Sequence, residues 1–191
     1  MQAKILFAGL LAALLGACVS TAGRLAADAE RCRLEVNLGI LDGAEKSCTQ
    51  ALGGDDEDVL RPQVRSARLY ELARIKRQLF KYQEGEGLLR QSLAIEEGLS
   101  GPDSHSVGLR LIELSLVLAG QEQWESGARV IERALPLTGK FTQDERVSMA
   151  RIARHYAGRL EKIGQAGLAE RFRTAAAELE NRQVKKESGA P

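Results

Sequence analysis

The apolar residues of this chain fall in blocks, and the blocks return at a fixed distance. From Tyr82 to Ile95 the sequence reads YQEGEGLLRQSLAI, and 42 residues later, from Trp124 to Leu137, it reads WESGARVIERALPL. Tyr82 matches Trp124, Gly85 matches Gly127, and Leu93 matches Leu135. Inside one unit, Leu72, Ala73, Ile75 and Leu79 carry a helical period, and Leu88, Leu89, Ser92, Leu93 and Ile95 carry another, with FKYQ between them. That pattern predicts two antiparallel helices joined by a tight turn. The next unit fills the same slots with Leu114, Ser115, Leu118, Trp124, Gly127, Ile131 and Ala134. A further unit starts at Tyr156, with Ala157, Leu160, Gly164, Ala169 and Ala176 in phase, and Cys32 to Leu52 fills the pattern upstream. The reading is all-α, with four hairpins over residues 25–178. One hairpin cannot bury its apolar face alone, so like hairpins stack and each covers its neighbour. Trp124 and Tyr82 are expected to pack between helices.

Composition narrows this further. The chain has 191 residues, 44% of them hydrophobic, enough for one domain-sized core. Aromatics make up only 4%, which starves strands of the residues that suit them. With 27 basic and 26 acidic residues, no global field recruits nucleic acid.

Residues 1–17, MQAKILFAGLLAALLGA, read as targeting: Lys4 gives a positive start and Ile5 to Leu15 a short apolar run. Leu15, Gly16, Ala17 and Cys18 resemble the lipobox of bacterial lipoproteins, which implies that Cys18 is lipidated and becomes the mature N-terminus, with residues 18–24 as its tether. By the same resemblance, Val19 rather than Asp after the cysteine implies an outer-membrane anchor facing the periplasm. Export makes Cys32 and Cys48 candidates for a disulfide. They mirror each other about the turn near Ile40, so antiparallel helices would set them face to face; two free cysteines in small-residue slots are the alternative.

The helix, turn, helix unit with these small-residue slots resembles the tetratricopeptide repeat, and its 42-residue period, together with GPDSHSV at Gly101 to Val107, resembles the long repeats of kinesin light chains. The resemblance implies a right-handed α-solenoid. Three positions depart from it: Lys76 replaces an aromatic, Phe80 takes a turn position usually held by glycine, and Arg173 replaces a bulky apolar residue. Arg173 and the polar ENRQVKKESGAP suit a capping helix and a disordered tail over 179–191.

In such arrays the first helix of each unit lines a concave groove. Carried over slot by slot, this selects Arg33 and Asn37, then Tyr70, Arg74 and Arg77, then Leu109, Ile112 and Leu116, then Arg151 and Arg154. An apolar centre with basic flanks would suit a peptide with apolar anchors between acidic ends. The competing reading has the arginines solvated and the three apolar residues packed against neighbouring helices.

Little else in the sequence carries chemistry. His105 lies in a loop before a helix and His155 inside RIARHYAG, neither in a catalytic frame. Asp55, Asp56, Glu57 and Asp58 lack the spaced ligands of a calcium loop and read as a connector. The expectation is no enzyme, no cofactor, no metal and no small-molecule substrate. It favours a lipid-anchored adaptor for a protein or peptide partner in the cell envelope. The alternative is a structural subunit of an envelope machine, such as a pilus-assembly or secretion lipoprotein.

Overall fold

The computed structural model of the chain describes residues 20–53 and 60–187. The leader, Cys18, the acidic run Asp55 to Asp58 and the last four residues lie outside the described residues. The described helices are α1 (Thr21–Asn37), α2 (Leu41–Ala51), α3 (Pro62–Gln78), α4 (Tyr82–Ser100), α5 (His105–Gly120), α6 (Trp124–Ala134), α7 (Gln143–Lys162) and α8 (Ala166–Glu187), with a 3-10 helix at Leu135–Lys140. There is no strand among the described residues. Consecutive helices pair as hairpins α1α2, α3α4, α5α6 and α7α8, and each hairpin packs on the next through its second helix. The architecture is an α-solenoid of four helical hairpins.

Every hairpin turns by the same device. Gly39, Phe80, Glu122 and Gly164 have φ of 73°, 59°, 59° and 80°, one left-handed residue after the first helix of each unit. The next N–H donates back to the carbonyl five residues earlier: Ile40 to Glu35 at 2.9 Å, Lys81 to Lys76 at 2.8 Å, Gln123 to Leu118 at 2.9 Å, and Gln165 to Leu160 at 2.8 Å. This double-bonded helix end satisfies carbonyls that the helix leaves open, and glycine is its usual occupant because a Cβ costs energy in that backbone region. Two of the four turns carry that cost.

Small residues set how closely the hairpins approach. A Cβ on Gly127 would lie 2.5 Å from Cζ of Tyr156, so α6 meets α7 at the thickness of a ring. The Tyr156 hydroxyl donates to the Ser115 carbonyl at 2.5 Å, tying α7 to α5, and burial raises its pKa. Likewise a Cβ on Gly120 would lie 2.7 Å from Cδ1 of Tyr82. The buried residues form one continuous cluster from Ala73 to Leu179 and a second one joining the first two hairpins through Cys32, Ala44, Cys48, Leu52, Leu69, Leu72 and Ile75. In that second cluster Cys32 and Cys48 are disulfide-bonded, with Cα atoms 4.9 Å apart.

Two boundaries differ from the sequence reading. The first helix starts at Thr21, capped by the Ser20 hydroxyl accepting from Gly23 N–H at 3.1 Å, so the tether expected over 18–24 ends at the cap. At the other end, helix continues through 179–187 where a disordered tail was expected. The reason is a stripe that composition hides: Phe172, Ala176 and Leu179 share one face and are all buried, and Glu180 accepts from Arg154 of α7 at 2.5 Å. Phe172 fills the last core slot, edge-on to Tyr156 at 6.4 Å, which frees Arg173 to pair with Glu161 and Glu170 at the surface.

Candidate functional site

A cleft of about 640 Å³ opens among the first helices of the last three hairpins. Arg77 and Gln78 of α3, Leu116 and Ala119 of α5, and His155 and Arg159 of α7 line it, with Tyr82 and Trp124 from the starts of the second helices. The 42-residue period explains the alignment: Arg77 and Ala119 occupy one slot of successive first helices, and Tyr82 and Trp124 one slot of successive second helices. Trp124 serves packing and surface together. Its ring stands edge-on to His155 at 5.6 Å and to Tyr156 at 5.5 Å, while the Arg159 guanidinium lies over it at 5.3 Å. Stacking on an indole leaves the guanidinium donors free to face a ligand. Phe80 stands on the rim, 77% exposed and edge-on to Tyr82 at 6.1 Å.

Further along α3, Tyr70 is half-buried between two guanidiniums, with Arg110 at 4.9 Å and Arg74 at 5.8 Å from the ring centre. Burial raises the Tyr70 phenol pKa, so it stays neutral and able to donate. Arg110 itself is held under the groove floor by a buried polar layer. Its Nη2 meets Glu96 at 3.1 Å and Ser66 Oγ at 3.2 Å, its Nε donates to Ser92 Oγ at 3.1 Å, and Ser66 Oγ donates to Glu96 at 2.9 Å. Burial lowers the Arg110 pKa, and the adjacent Glu96 carboxylate opposes that. The layer joins α3, α4 and α5 and fixes which residues of each face outward, because a buried charge without its partner costs several kcal/mol, about 3 to 5.

The structure separates the groove residues selected from sequence. Ile112 and Leu116 are partly buried against the main core, so both contribute to packing, and Leu116 also lines the cleft. Leu109 is half-buried on the same face of α5. Arg74 and Arg151 are exposed, and neither pairs with a carboxylate among the described residues. Arg77 and Arg154 are already engaged, Arg77 Nε with the buried Glu113 at 2.5 Å and Arg154 with Glu180. Arg33 pairs with Glu30 at 2.8 Å and opens on a different cleft of about 360 Å³, walled by the disulfide, Val64, Ala67 and Arg68. Asn37 is exposed near the end of α1 and is not brought to either cleft.

Sequence reasoning weighed His155 only for catalysis, passed over Arg159, and gave Trp124 only a packing role. The signal was present in the period: Arg159 occupies the slot of buried Ile75 and Val117, and a cation in an apolar slot marks a change of use. Lys76, noted as a departure, joins hairpins by bonding Glu45 of α2 at 2.5 Å, and it also pairs with Glu84. His105 begins α5 and bonds Glu145 at 2.8 Å, within the capping box that starts α7. No group of three or more metal-ligating side chains occurs among the described residues.

No protein-family model and no curated protein matches the sequence. Solved structures do match the fold. BtubC (BKLC) from P. vanneervenii aligns with a TM-score of 0.68 at 19% identity over 80% of this chain, which spans 61% of that one. The nearly identical TPR-like repeats of a candidate kinesin light chain from Podospora anserina align with a TM-score of 0.67 at 21% identity, over 93% of this chain and 85% of that one. MamA aligns with a TM-score of 0.63 at 14% identity, over 84% of this chain and 81% of that one. These similarities establish a tetratricopeptide-type solenoid fold.

Proposed function

We propose that this chain is a lipid-anchored periplasmic adaptor that holds a segment of a protein partner against the faces of α3, α5 and α7. The observation that carries the reading is the cleft at Leu116 and Trp124: apolar surface held half-open by the packing beneath it, with Arg159 and His155 on one wall and, one turn before Gln78 on α3, Arg74, which pairs with no carboxylate among the described residues. Such a surface gives an apolar side chain a place to bury and gives flanking carboxylates a fork to bind, the two terms that dominate affinity at small interfaces. The expected ligand is therefore a segment with a large apolar side chain between acidic residues. The lipobox-like LGAC ending at Cys18 supports the anchor, and the tetratricopeptide-type fold supports a protein partner rather than a small molecule.

The test is site-specific photocrosslinking from position 116 in the native envelope, with mass spectrometry of the adduct. A discrete partner should be captured, and Arg74→Glu with Arg159→Glu should abolish capture while the fold melts as before. Arg77 is unsuitable for this purpose, because a glutamate there would face the buried Glu113 and destabilise the fold. Capture unchanged in the double variant would remove the groove from the reading. Anchoring is read separately: Cys18→Ser should abolish acyl labelling of the chain.

A further inference from the structure

The two ends of the solenoid are finished differently. In the second hairpin Ile75 is buried against α2 and Leu79 packs partly against the same cluster. The slots 41 residues earlier are Leu34 and Leu38, on the face of α1 that would meet a preceding hairpin. No described residue covers that face, and Leu34 and Leu38 are 57% and 62% exposed. At the other end, Arg173 occupies the slot of buried Leu89 and Ile131 and closes it with ion pairs to Glu161 and Glu170. The C-terminal end thus carries a charge in its outward slot, and the N-terminal end keeps leucines in its own.

Arg24, Ala27, Arg31, Leu34 and Leu38 are all exposed and recur at helical spacing, so they form one stripe along the outer face of α1. The opposite face carries the buried Leu25 and Cys32. The stripe runs about 21 Å at 1.5 Å per residue. In sequence it begins six residues after Cys18, the residue of the anchored reading.

We infer that this stripe is a membrane-contact surface, on which α1 lies along a leaflet carrying anionic headgroups. The inference rests on the anchored reading of Cys18. Charge selects this occupant over the others. A retained apolar leader packed on α1 would set hydrocarbon against Arg24 and Arg31. A second copy stacked head to tail would offer its charged C-terminal end to Leu34 and Leu38, and one paired symmetrically through the same stripe would set the two Arg31 guanidiniums against each other at its centre. An anionic leaflet takes both residue types, with guanidiniums at the phosphates and leucines in the shallow acyl boundary. One acyl attachment site then acts with a second, weaker contact, and the array is held in one orientation rather than swinging on its tether.

The test uses the chain as isolated from the envelope, with a nitroxide at Leu38→Cys or, as control, at the exposed Ala177→Cys of α8. Accessibility to an aqueous nickel chelate is measured without lipid, with phosphatidylcholine vesicles and with phosphatidylglycerol vesicles; intact mass reports acylation of Cys18. Acylated chain is reconstituted into the vesicles, and unacylated chain is added to them. The expected result is several-fold protection at position 38 and none at 177, greatest with phosphatidylglycerol. Arg24→Glu with Arg31→Glu should remove that protection and weaken vesicle binding of unacylated chain on the order of ten-fold. Equal accessibility at 38 and 177 in acylated, reconstituted chain would overturn the contact surface while leaving the anchor intact. Protection at 38 without lipid would assign the stripe to the leader or to a second copy and would also overturn it. Unmodified Cys18 would overturn the anchor; position 38 would then decide the surface by its protection, or lack of it, on added vesicles.

Discussion

Replacing Gly127 by alanine probes the closest approach in the solenoid. Alanine is the better helix former by about 1 kcal/mol, so an isolated α6 would gain from the change. The tertiary contact reverses the sign. The new methyl would lie 2.5 Å from Cζ and 2.7 Å from Cε1 of Tyr156, whose ring is fully buried and cannot swing into solvent. Forcing a methyl into a filled core costs about 1 to 3 kcal/mol. Displacing the ring also lengthens the 2.5 Å bond from the Tyr156 hydroxyl to Ser115, a further loss of about 1 kcal/mol. The net expectation is a destabilisation of about 1 to 3 kcal/mol, measured as the shift in urea unfolding followed by far-ultraviolet circular dichroism. The repeat supplies its own control, since the slots equivalent to Tyr156 hold Leu72 and Leu114. In a Tyr156→Leu background Gly127→Ala should keep only its helix gain of about 1 kcal/mol, giving a coupling energy of about 2 to 4 kcal/mol in the double-mutant cycle. A Gly127→Ala chain as stable as the parent, or a cycle without coupling, would refute the view that ring thickness sets the α6 to α7 spacing.

Three further outcomes are expected. Phe80→Gly should stabilise the fold by roughly 1 kcal/mol by relieving a left-handed non-glycine residue that buries little, and a loss of stability in the same urea titration would show that the Phe80 ring contributes more than its backbone costs. Reducing the Cys32–Cys48 disulfide, which closes a loop of sequence separation 16, should cost about 3 kcal/mol in the chain-entropy model; alkylation of the unreduced, denatured protein should label neither cysteine. Glu45 has its carboxyl held below the ordinary value of 4.5, first by the hydrogen bond from Lys76 and then by that from Lys81. Because its folded pKa lies below its unfolded one, its contribution is present above about pH 4.5 and is lost as pH falls through the folded value. Glu45→Gln should therefore flatten the acid side of the stability profile, and an unchanged acid slope would exclude the pair as a source of it.

The hairpins were legible because a helix pair that cannot bury its apolar face must repeat that face at a constant interval, and the interval survives in sequence even where residue types drift. The turn positions were legible for the same reason: Phe80 stood out against a glycine slot, and the backbone there is left-handed. The end of α8 was not legible, because Leu179 sits between Glu178 and Glu180 at the start of a polar run, and only its alignment with Phe172 and Ala176 shows that the face is still in use.

For the candidate site, the sequence alone decided which positions share a slot in successive first helices, since slot follows from phase. It could not decide which groove cations remain available. Arg77 and Glu113 lie 36 residues apart, Arg154 and Glu180 26, and Arg110 and Ser66 44, so each pairing crosses between helices or hairpins. Local pattern fixes where a side chain points along its own helix; only the packing of one hairpin on the next fixes what it meets. That packing consumes Arg77, Arg110 and Arg154 within the fold and leaves Arg74, Arg151 and the Trp124-stacked Arg159 facing outward.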